Sequence, residues 1–393
     1  MSVVQRESHP IYFDYHSTTP VDRRVADRIH RCMIEELGNA SSTDHEWGDR
    51  ALSAVKEAAK QVADLVGSSP REILWTSGAT ESINLAIQGS LSPNPRQPHR
   101  IALLPIEHKA ILDTCQILEK RGWAKLIYLQ VDSRGRVNLN HLEQVCAQGL
   151  SLICVMAANN EIGNIYPIGA IGQIAQRYSI PFLCDASQAV GKIPINFEEW
   201  GITYLAISAH KFYGPKGCGV LVVRKKHHLE PIIFGGNHQK GMRSGTLNVP
   251  GIVGLGEACR LRQLEMKEDE NAIATKRDKL QNLLIEKIPG LIINGDTNSR
   301  LAGNLHISIP GIPNSAVIAR IRTQLAISTG AACSSGVEAP SHVLRALGLP
   351  ESAIEGALRI GIGKFTTDAE IDLSAEILST VISQIRQIMC LQV

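Results

Sequence analysis

Residues 181–223 read PFLCDASQAVGKIPINFEEWGITYLAISAHKFYGPKGCGVLVV, and this stretch decides the fold class. It contains three short apolar runs, at Pro181–Cys184, Tyr204–Ile207 and Val220–Val223. Apolar runs of this length, without polar alternation, are typical of strands that are buried on both faces of a sheet. The stretch therefore predicts an α/β protein in which helices cover a central sheet.

The same alternation of apolar runs and helical segments extends from about residue 20 to residue 225. Further runs of strand length are Ile73–Trp75, Ile101–Leu104, Leu126–Val131 and Leu152–Met156. Between them, apolar residues recur at helical spacing, first from Val21 to Leu37, with Thr19-Pro20 as a start signal and Gly38 as a stop. Strands separated by helices favour a mostly parallel sheet, with ligands at the carboxyl ends of its strands.

After Pro250 the pattern changes. Residues 252–288 read as one long helical stretch, and a strand at Asn304–Ile309, a helix at Ser315–Leu325 and a final helix at Ala369–Met389 follow it. These elements predict a smaller α+β domain beside the large one. We predict the large domain at residues 16–255 and the smaller domain from residues 1–15 and 256–393.

Composition excludes several classes of function. The 393 residues carry 40 basic and 38 acidic side chains, a net charge of +2, so no electrostatic footprint for nucleic acid is present. No apolar run approaches the roughly 18 residues of a membrane span, and the N-terminus MSVVQRESHP lacks the apolar core of a signal peptide. We expect a soluble, cytoplasmic protein that binds neither membranes nor nucleic acid.

The nine cysteines are scattered, odd in number and free of any C-x-x-C spacing. This pattern predicts neither a disulfide framework nor a metal site, and it fits a reducing cytoplasm. Cys154 and Cys184 lie in apolar runs and are predicted to be core residues. Cys333 differs, because it lies among the small residues of Ser328–Gly336; it is a candidate nucleophile, whereas Cys390 near the chain end reads as a bystander.

Polar residues follow three of the predicted strands. Thr76–Ser82 (TSGATES) lies between a strand and a helix, where it is either an anion site for phosphate or an ordinary helix N-cap. Asp185 is either the partner of a pyridinium nitrogen or another N-cap. Lys211 closes a buried strand, where desolvation favours reaction of its amine with a carbonyl. The three together are typical of a site for pyridoxal 5'-phosphate (PLP).

At this point the sequence closely resembles the cysteine desulfurases, which belong to the class V aminotransferase branch of PLP-dependent enzymes and have the aspartate aminotransferase-like fold. The resemblance covers nearly the whole chain. It rests on the segments Thr76–Ser82 (TSGATES), Glu107–Ala110 (EHKA), Asn159–Gly163 (NNEIG), Asp185–Gln188 (DASQ), His210–Gly217 (HKFYGPKG), Arg243–Thr246 (RSGT), Ser328–Ser335 (STGAACSS) and Val343–Gly348 (VLRALG).

The resemblance implies a role for each of these positions. Lys211 corresponds to the lysine that binds the cofactor covalently, Asp185 to the partner of the pyridine nitrogen and His108 to the imidazole that stacks on the ring and moves protons. The remaining positions implied in cofactor binding are Asn160 and Gln188 at the ring oxygen, Ala79, Thr80, Ser208 and His210 at the phosphate, and Thr246 from the other subunit of a homodimer. Arg359 and Asn39 correspond to groups that bind the substrate carboxylate.

The implied function is the PLP-dependent removal of sulfur from L-cysteine, which gives alanine and a persulfide on Cys333. The persulfide sulfur would pass to an acceptor protein, an iron–sulfur scaffold or another sulfur carrier. The segment around Cys333 is of the longer type and lacks the Arg-x-Gly-His-His-Cys pattern of relatives that need an activating partner. We therefore expect activity without an activator.

The sequence departs from the family pattern at Ala40, where proline is common, and at Gly235–Lys240, which lacks the usual acid. It also ends soon after its last predicted helix, so we do not expect docking of a scaffold through a longer C-terminal tail. The alternatives are a selenocysteine lyase, a C–S lyase that makes pyruvate and ammonia, an aminotransferase, and a catalytically silent scaffold. Cys333 discriminates among them, because a β-elimination or a transamination needs no protein thiol.

Overall fold

The structure is a computed structural model of the chain, and it describes residues 9–330 and 340–390. The helices are α1 (Arg23–Glu35), α2 (Glu46–Val66), α3 (Ala79–Ser90), α4 (Lys109–Lys120), α5 (Leu139–Ala147), α6 (Ile168–Arg177), α7 (Val249–Lys287), α8 (Asn314–Ile321), α9 (His342–Ala346), α10 (Glu351–Glu355) and α11 (Asp368–Cys390). The strands are β1 (Ile11–Tyr12), β2 (Ile73–Thr76), β3 (His99–Leu103), β4 (Ala124–Tyr128), β5 (Leu152–Met156), β6 (Phe182–Asp185), β7 (Tyr204–Ser208), β8 (Gly219–Val223), β9 (Ile292–Ile293), β10 (Asn304–Ser308), β11 (Leu325–Ala326) and β12 (Ala357–Gly361).

The central sheet has seven strands in the order β2-β8-β7-β6-β5-β3-β4. Strand β8 pairs antiparallel with both of its neighbours, and every other pairing in this sheet is parallel. The predicted mostly parallel sheet covered by helices is therefore confirmed. Because every strand except β8 runs in one direction, the carboxyl ends of β2, β7, β6, β5 and β3 open on the same edge of the sheet.

The core of the larger sheet forms where α3 and α4 pack on it. Leu103, Cys154 and Leu183 on three adjacent strands are fully buried together with Ile83 of α3 and Ile111 of α4. All five residues of β5 are buried, as the unbroken apolar run predicted. Cys154 and Cys184 are both 0% exposed, so their predicted place in the core is confirmed.

The predicted end of α1 at Gly38 is wrong, because the helix ends at Glu35. Gly38 matters for packing instead, since a Cβ atom at this position would collide with the backbone carbonyl of Trp47 in α2. The glycine therefore allows a close approach of the chain to α2. By contrast, α2 ends at Val66, and Gly67 after it has the left-handed conformation (φ 68°) that favours glycine at a helix C-terminus.

The chain divides into two compact units. The larger comprises Thr18–Asn160 and Asn164–Lys267, and the smaller comprises the described residues up to Ser17, Glu161–Gly163 and the described residues from Glu268 onward. Helix α7 contributes residues to both units. The domain boundaries given by the sequence pattern stay a prediction. Within the described residues, no helix is long and apolar enough to span a bilayer.

The smaller unit contains a three-stranded antiparallel sheet in the order β12-β10-β9 and a short parallel pair, β1 with β11. Its apolar core includes Leu305 of β10, Ile360 of β12, Leu284 of α7 and Leu378 of α11. Residues after Ile321, predicted as helix to Leu325, instead turn so that Leu325–Ala326 joins the sheet pair as β11. Pairing of Leu325 with Ile11, far away in the chain, overrides the local helical spacing.

A carboxylate is buried in the smaller unit beside β10. Glu161 is 2% exposed, and its Oε1 atom accepts a hydrogen bond from the hydroxyl of Ser341 at 2.5 Å. Burial raises the pKa of Glu161 to about 7, against the smaller lowering effects of the Ser341 hydrogen bond and the charge of Arg359. His306 Nε2 lies 3.7 Å from the same oxygen; burial and then Arg359 lower the pKa of His306 to about 3, so this ring is neutral.

The raised pKa of Glu161 predicts a pH-dependent cost to stability. Folded Glu161 holds its proton more tightly than unfolded Glu161, so its stabilisation is complete below about pH 4.5 and is lost as the pH rises through about 7. The lowered pKa of His306 makes stability rise with pH between about pH 3 and 6.5, which opposes the effect of Glu161. The contribution of Glu161 is therefore measured by comparing wild type with a Glu161 variant. The free energy of unfolding of E161Q, relative to wild type, should rise by on the order of 2 kcal/mol from about pH 5 to about pH 8.

Chemical denaturation of wild type and E161Q over this range measures the difference. E376Q is the control, because it makes the same substitution at a side chain that is 61% exposed. Parallel curves for wild type and E161Q would contradict the prediction.

Candidate active site

The turn after β2 lies beside the end of β7. Helix α3 begins after Gly78, whose φ of 154° favours glycine, and this N-cap residue makes no side-chain capping hydrogen bond. A Cβ atom on Gly78 would lie 3.8 Å from the hydroxyl oxygen of Ser208, and one on Gly219 would lie 2.5 Å from the Cα atom of Gly78. The backbone N–H groups that begin α3 and the Ser208 hydroxyl thus border one space with the geometry of an anion site.

Glu81 fixes the first turn of α3. Its carboxylate accepts hydrogen bonds from the backbone of Ser77 at 2.8 Å and from Arg243 Nε at 2.7 Å. Although burial raises the pKa of Glu81, the hydrogen bonds from Arg243 and Ser77 lower it overall, so the residue is an anion. The pair with Arg243 holds the RSGT segment next to this turn, while Thr246 itself is exposed.

Asp185 ends β6, between the ends of β5 and β7. It is 5% exposed, and its Oδ1 atom accepts from both the backbone N–H of Ser187 (2.9 Å) and the Ser187 hydroxyl (2.5 Å). The alternative interpretation as a helix N-cap is wrong, because residues 186–192 form turns and no helix. A buried carboxylate at a strand end is placed to face a ligand.

His108 precedes α4 and caps it. Its Nδ1 atom accepts from the backbone N–H of Ala110 at 3.1 Å, which assigns the ring proton of the neutral form to Nε2. His108 is exposed to solvent, yet desolvation by the surrounding protein is the main cause that lowers its pKa. Asp185 opposes this shift and Lys211 adds to it, so both charged groups act directly on the imidazole.

Lys211 lies in a short 3-10 turn after β7, and Thr19 holds this turn in place. The Thr19 hydroxyl donates to the carbonyl of His210 at 3.0 Å and accepts from the backbone N–H of Tyr213 at 2.6 Å. His210 Nδ1 lies 3.1 Å from the Thr18 hydroxyl. Burial and then the charge of Lys211 lower the pKa of His210 to about 4, so His210 is neutral at physiological pH.

Arg262 of α7 is a supporting residue that the sequence analysis missed. It is 1% exposed, its Nε atom donates to the carbonyl of Gly191 at 2.7 Å, and its guanidinium lies 5.4 Å from the centre of the Tyr213 ring. It therefore links the turn after Gln188 to the turn after Lys211. The available signal was an arginine beside the buried apolar residues Leu255, Ala258, Cys259 and Leu261 of one helix.

Two amide side chains complete this edge. Gln188 is 3% exposed, and its Oε1 accepts from Lys192 Nζ at 2.9 Å, so its N–H donors point away from that lysine. Asn160, which is partly exposed, follows Asn159. Fully buried Asn159 donates to the carbonyl of Ile106 at 3.0 Å and ties the chain after β5 to the chain after β3.

Two further predicted residues, Arg359 and Asn39, lie in other segments of the chain. Arg359, on β12 of the smaller unit, is 5% exposed, and its Nη2 atom donates to Asp14 Oδ1 at 3.0 Å and to the Ser17 hydroxyl at 2.7 Å. Asn39 is exposed after α1 and accepts from the backbone N–H of Ser41 at 2.9 Å. Cys333 lies outside the described residues. Within the described ranges, no cluster of His, Cys, Asp or Glu has the geometry to hold a metal ion.

The edge of the larger sheet thus brings together an uncapped helix start with a nearby hydroxyl, a buried carboxylate, a neutral imidazole and a lysine. We call this group the strand-edge site: residues 76–82, His108, Asp185, Ser208 and Lys211. The family model described as "Aminotransferase class-V" matches residues 11–373 of the chain. The chain belongs to the class-V aminotransferase family.

Relatives place this class-V aminotransferase among the cysteine desulfurases, as the sequence resemblance predicted. "Cysteine desulfurase IscS" of Shewanella oneidensis is 43% identical over 382 residues, which cover 96% of this chain and 94% of the relative. A solved structure described as "NIFS-LIKE PROTEIN" superposes with a TM-score of 0.89 at 35% identity, covering 95% of this chain and 99% of the other. "SspA in complex with cysteine" superposes with a TM-score of 0.78 at 32% identity, covering 91% and 100%.

The charges around His108 predict opposite pKa changes in two variants. Asp185→Asn removes a charge that raises the pKa of His108, so this pKa should fall further below its ordinary value. Lys211→Ala removes a charge that lowers it, so the pKa should rise. Nuclear magnetic resonance titration of histidine-labelled, cofactor-free protein measures both.

His227 is the internal control for this titration. Burial and then Arg224 lower its pKa, and neither Asp185 nor Lys211 contributes to that shift. Equal His108 titrations in wild type and both variants would contradict the geometry of the strand-edge site.

Proposed function

We propose that this protein is a cysteine desulfurase, which removes sulfur from L-cysteine, releases alanine and leaves a persulfide on Cys333. The observation that carries the proposal is the grouping of Lys211, Asp185 and His108 at one sheet edge, in a chain whose relatives of about 40% identity are cysteine desulfurases. A structural neighbour at 32% identity was solved in complex with cysteine. An aminotransferase with the same fold would have no use for Cys333.

We propose PLP as the cofactor, and the strand-edge site fits it. The N–H groups of Ala79 and Thr80 begin α3 beside the Ser208 hydroxyl, and with His210 they are proposed to bind the phosphate. Asp185 would then bind the ring nitrogen, His108 would stack on the ring, and Gln188 and Asn160 would donate to the ring oxygen. When bound through Lys211, the cofactor supplies an electron sink that stabilises negative charge at the substrate Cα.

The protein's own groups then move the protons. Lys211 Nζ takes the proton from the Cα of L-cysteine, and His108, neutral and protonated at Nε2, provides a second site for proton transfer. The Cys333 thiolate attacks the sulfur atom of the substrate, a new S–S bond forms and the C–S bond breaks. Its electron pair goes to the three-carbon fragment, which takes up a proton at Cβ, regains a proton at Cα and leaves as alanine.

Arg359 and Asn39 are proposed to bind the substrate carboxylate. Contacts from Asp14 and Ser17 to Nη2 fix the plane of the Arg359 guanidinium, and a fixed planar fork suits bidentate binding of a carboxylate. The carboxylate of Asp14 also keeps the buried guanidinium charge paired.

We further propose a homodimer in the cytoplasm that delivers sulfur to an iron–sulfur scaffold or another carrier protein. In and after α1, Met33, Ile34 and Leu37 are 57–62% exposed, an apolar surface of the kind that subunit interfaces bury. Thr246 is exposed, in keeping with a residue that completes the phosphate site of a partner subunit. The described cysteines carry no disulfide, as in a reducing compartment.

Product analysis tests the activity. Purified protein given L-cysteine and a thiol reductant should form alanine and sulfide in equal amounts, without an activating protein. Cys333→Ser should abolish both products because no thiolate remains to accept the sulfur, and Cys390→Ser should retain them. Pyruvate and ammonia, or turnover that survives Cys333→Ser, would instead identify a lyase.

Mixing two inactive variants tests the shared site. Each proposed site uses Lys211 of its own chain and Thr246 of the other chain. In a mixed dimer of Lys211→Ala and Thr246→Ala chains, one of the two sites therefore has both residues intact. Mixing after reversible subunit dissociation should restore activity at limiting cofactor. The control pair, Lys211→Ala with Ser208→Ala, should restore none, because both residues serve the site of their own chain. Sedimentation as a monomer, or equal results for both pairs, would refute the shared site.

A further inference from the structure

We propose that Glu161 is a positioning residue that joins the two ends of the segment carrying Cys333. The proposal deepens the proposed function and rests on the role of Cys333 in it. Glu161 belongs to the NNEIG segment, yet by the grouping of contacts it lies in the smaller unit, together with residues Glu268 onward. It touches the chain just before and just after residues 331–340.

The first end is Gly330. Its φ of 86° favours glycine, and a Cβ atom here would lie 2.8 Å from Glu161 Cγ, so the two residues are in close contact. The Gly330 N–H donates to the Ser328 hydroxyl at 3.0 Å. Ser328 in turn exchanges two backbone hydrogen bonds with Arg359 of β12, of 2.7 and 3.2 Å. This end is therefore attached both to β12 and to Glu161.

The second end is Ser341. Its hydroxyl donates to Glu161 Oε1 at 2.5 Å and accepts from the backbone N–H of Leu344 at 3.1 Å, as the N-cap of α9. Ser341 is 6% exposed, so water competes little for this bond. One carboxyl side chain thus contacts both ends of the segment.

Glu161 is itself fixed to a strand. Its backbone carbonyl accepts from Asn304 Nδ2 at 3.0 Å, and Asn304 is a fully buried residue of β10. The groups that face its carboxyl are the neutral ring of His306, the guanidinium of Arg359 and the Ser341 hydroxyl. Glu161 is therefore held next to β10 while its side chain contacts both segment ends.

Chain geometry connects this attachment to Cys333. Cys333 is the third residue after Gly330, so its Cα cannot lie farther than about 11 Å from that of Gly330. In general, a segment held at both ends has fewer conformations than one held at a single end. The attachment by Glu161 thus limits where the thiol can go, and attack on a substrate sulfur requires close alignment of the reacting atoms.

Two substitutions of Glu161 separate its positioning role from any role of its charge. A glutamine side chain here would keep the carbonyl oxygen that accepts from Ser341 and nearly the same volume, whereas alanine would lose the acceptor and the contact with Gly330. Asn314→Ala is the matched control. It removes a side-chain hydrogen bond, to the carbonyl of Ala357, from the same unit without touching Gly330 or Ser341.

The experiment measures steady-state alanine formation and, without substrate, the alkylation rate of Cys333 by iodoacetamide, followed by mass spectrometry of its peptide. In the holoenzyme, E161A should lower kcat about tenfold with KM for cysteine within about twofold, because alignment of the thiol and not substrate binding is lost. Cys333 alkylation should become at least about threefold faster, since the thiol reaches more conformations. E161Q and Asn314→Ala should stay within about twofold of wild type in both measurements.

Ser341→Ala tests the same contact from its other side. It should reproduce the effects of E161A, and the double variant should add little to either change. Unchanged or slower alkylation in E161A overturns the proposal. So do changes in E161Q as large as those in E161A. Wild type that makes no alanine would refute the proposed function instead, and the alkylation comparison would still decide the role of Glu161.

Discussion

The direction of the strands is the constraint on which the strand-edge site depends. Four strand ends supply its residues, and they meet because β2, β3, β6 and β7 run in the same direction. The antiparallel strand β8 lies between β2 and β7 and brings their ends together, with Gly219 in register with both Thr76 and Ser208. A side chain in place of Gly219 would displace the turn at Gly78. The anion site therefore depends on the absence of a side chain at Gly219.

The reactive residues are held by polar contacts from behind. Thr19 fixes the turn of Lys211, Arg262 supports the turns after Gln188 and Lys211, and Glu81 fixes the start of α3. The contacts of Thr19 and Arg262, and that of Glu81 with Arg243, join segments that are distant in the sequence. The charges of Asp185 and Lys211 both act on His108, whose pKa is lowered chiefly by desolvation.

The smaller unit shows the same principle around Glu161. Its buried carboxyl is costly as an anion, which is why burial raises its pKa to about 7, and the hydroxyl of Ser341 offsets part of that cost. A buried acid of this kind is unfavourable for stability, so its presence calls for a role other than stabilising the fold. Its contacts at Gly330 and Ser341 provide that reason, because they connect the proposed sulfur-accepting segment to β10.

The α/β class, the mostly parallel sheet, the core cysteines and the residues at the strand ends could all be predicted from the sequence. Each depends on burial along a single element, which apolar runs and the polar residues after them indicate. Only the tertiary structure decided the direction of β8, the pairing of Leu325–Ala326 with β1, the burial of Arg262 and the two contacts of Glu161. Residues 161 and 341 are 180 positions apart, and no local pattern relates them. Their contact exists because tertiary packing brings together two segments that no sequence pattern relates.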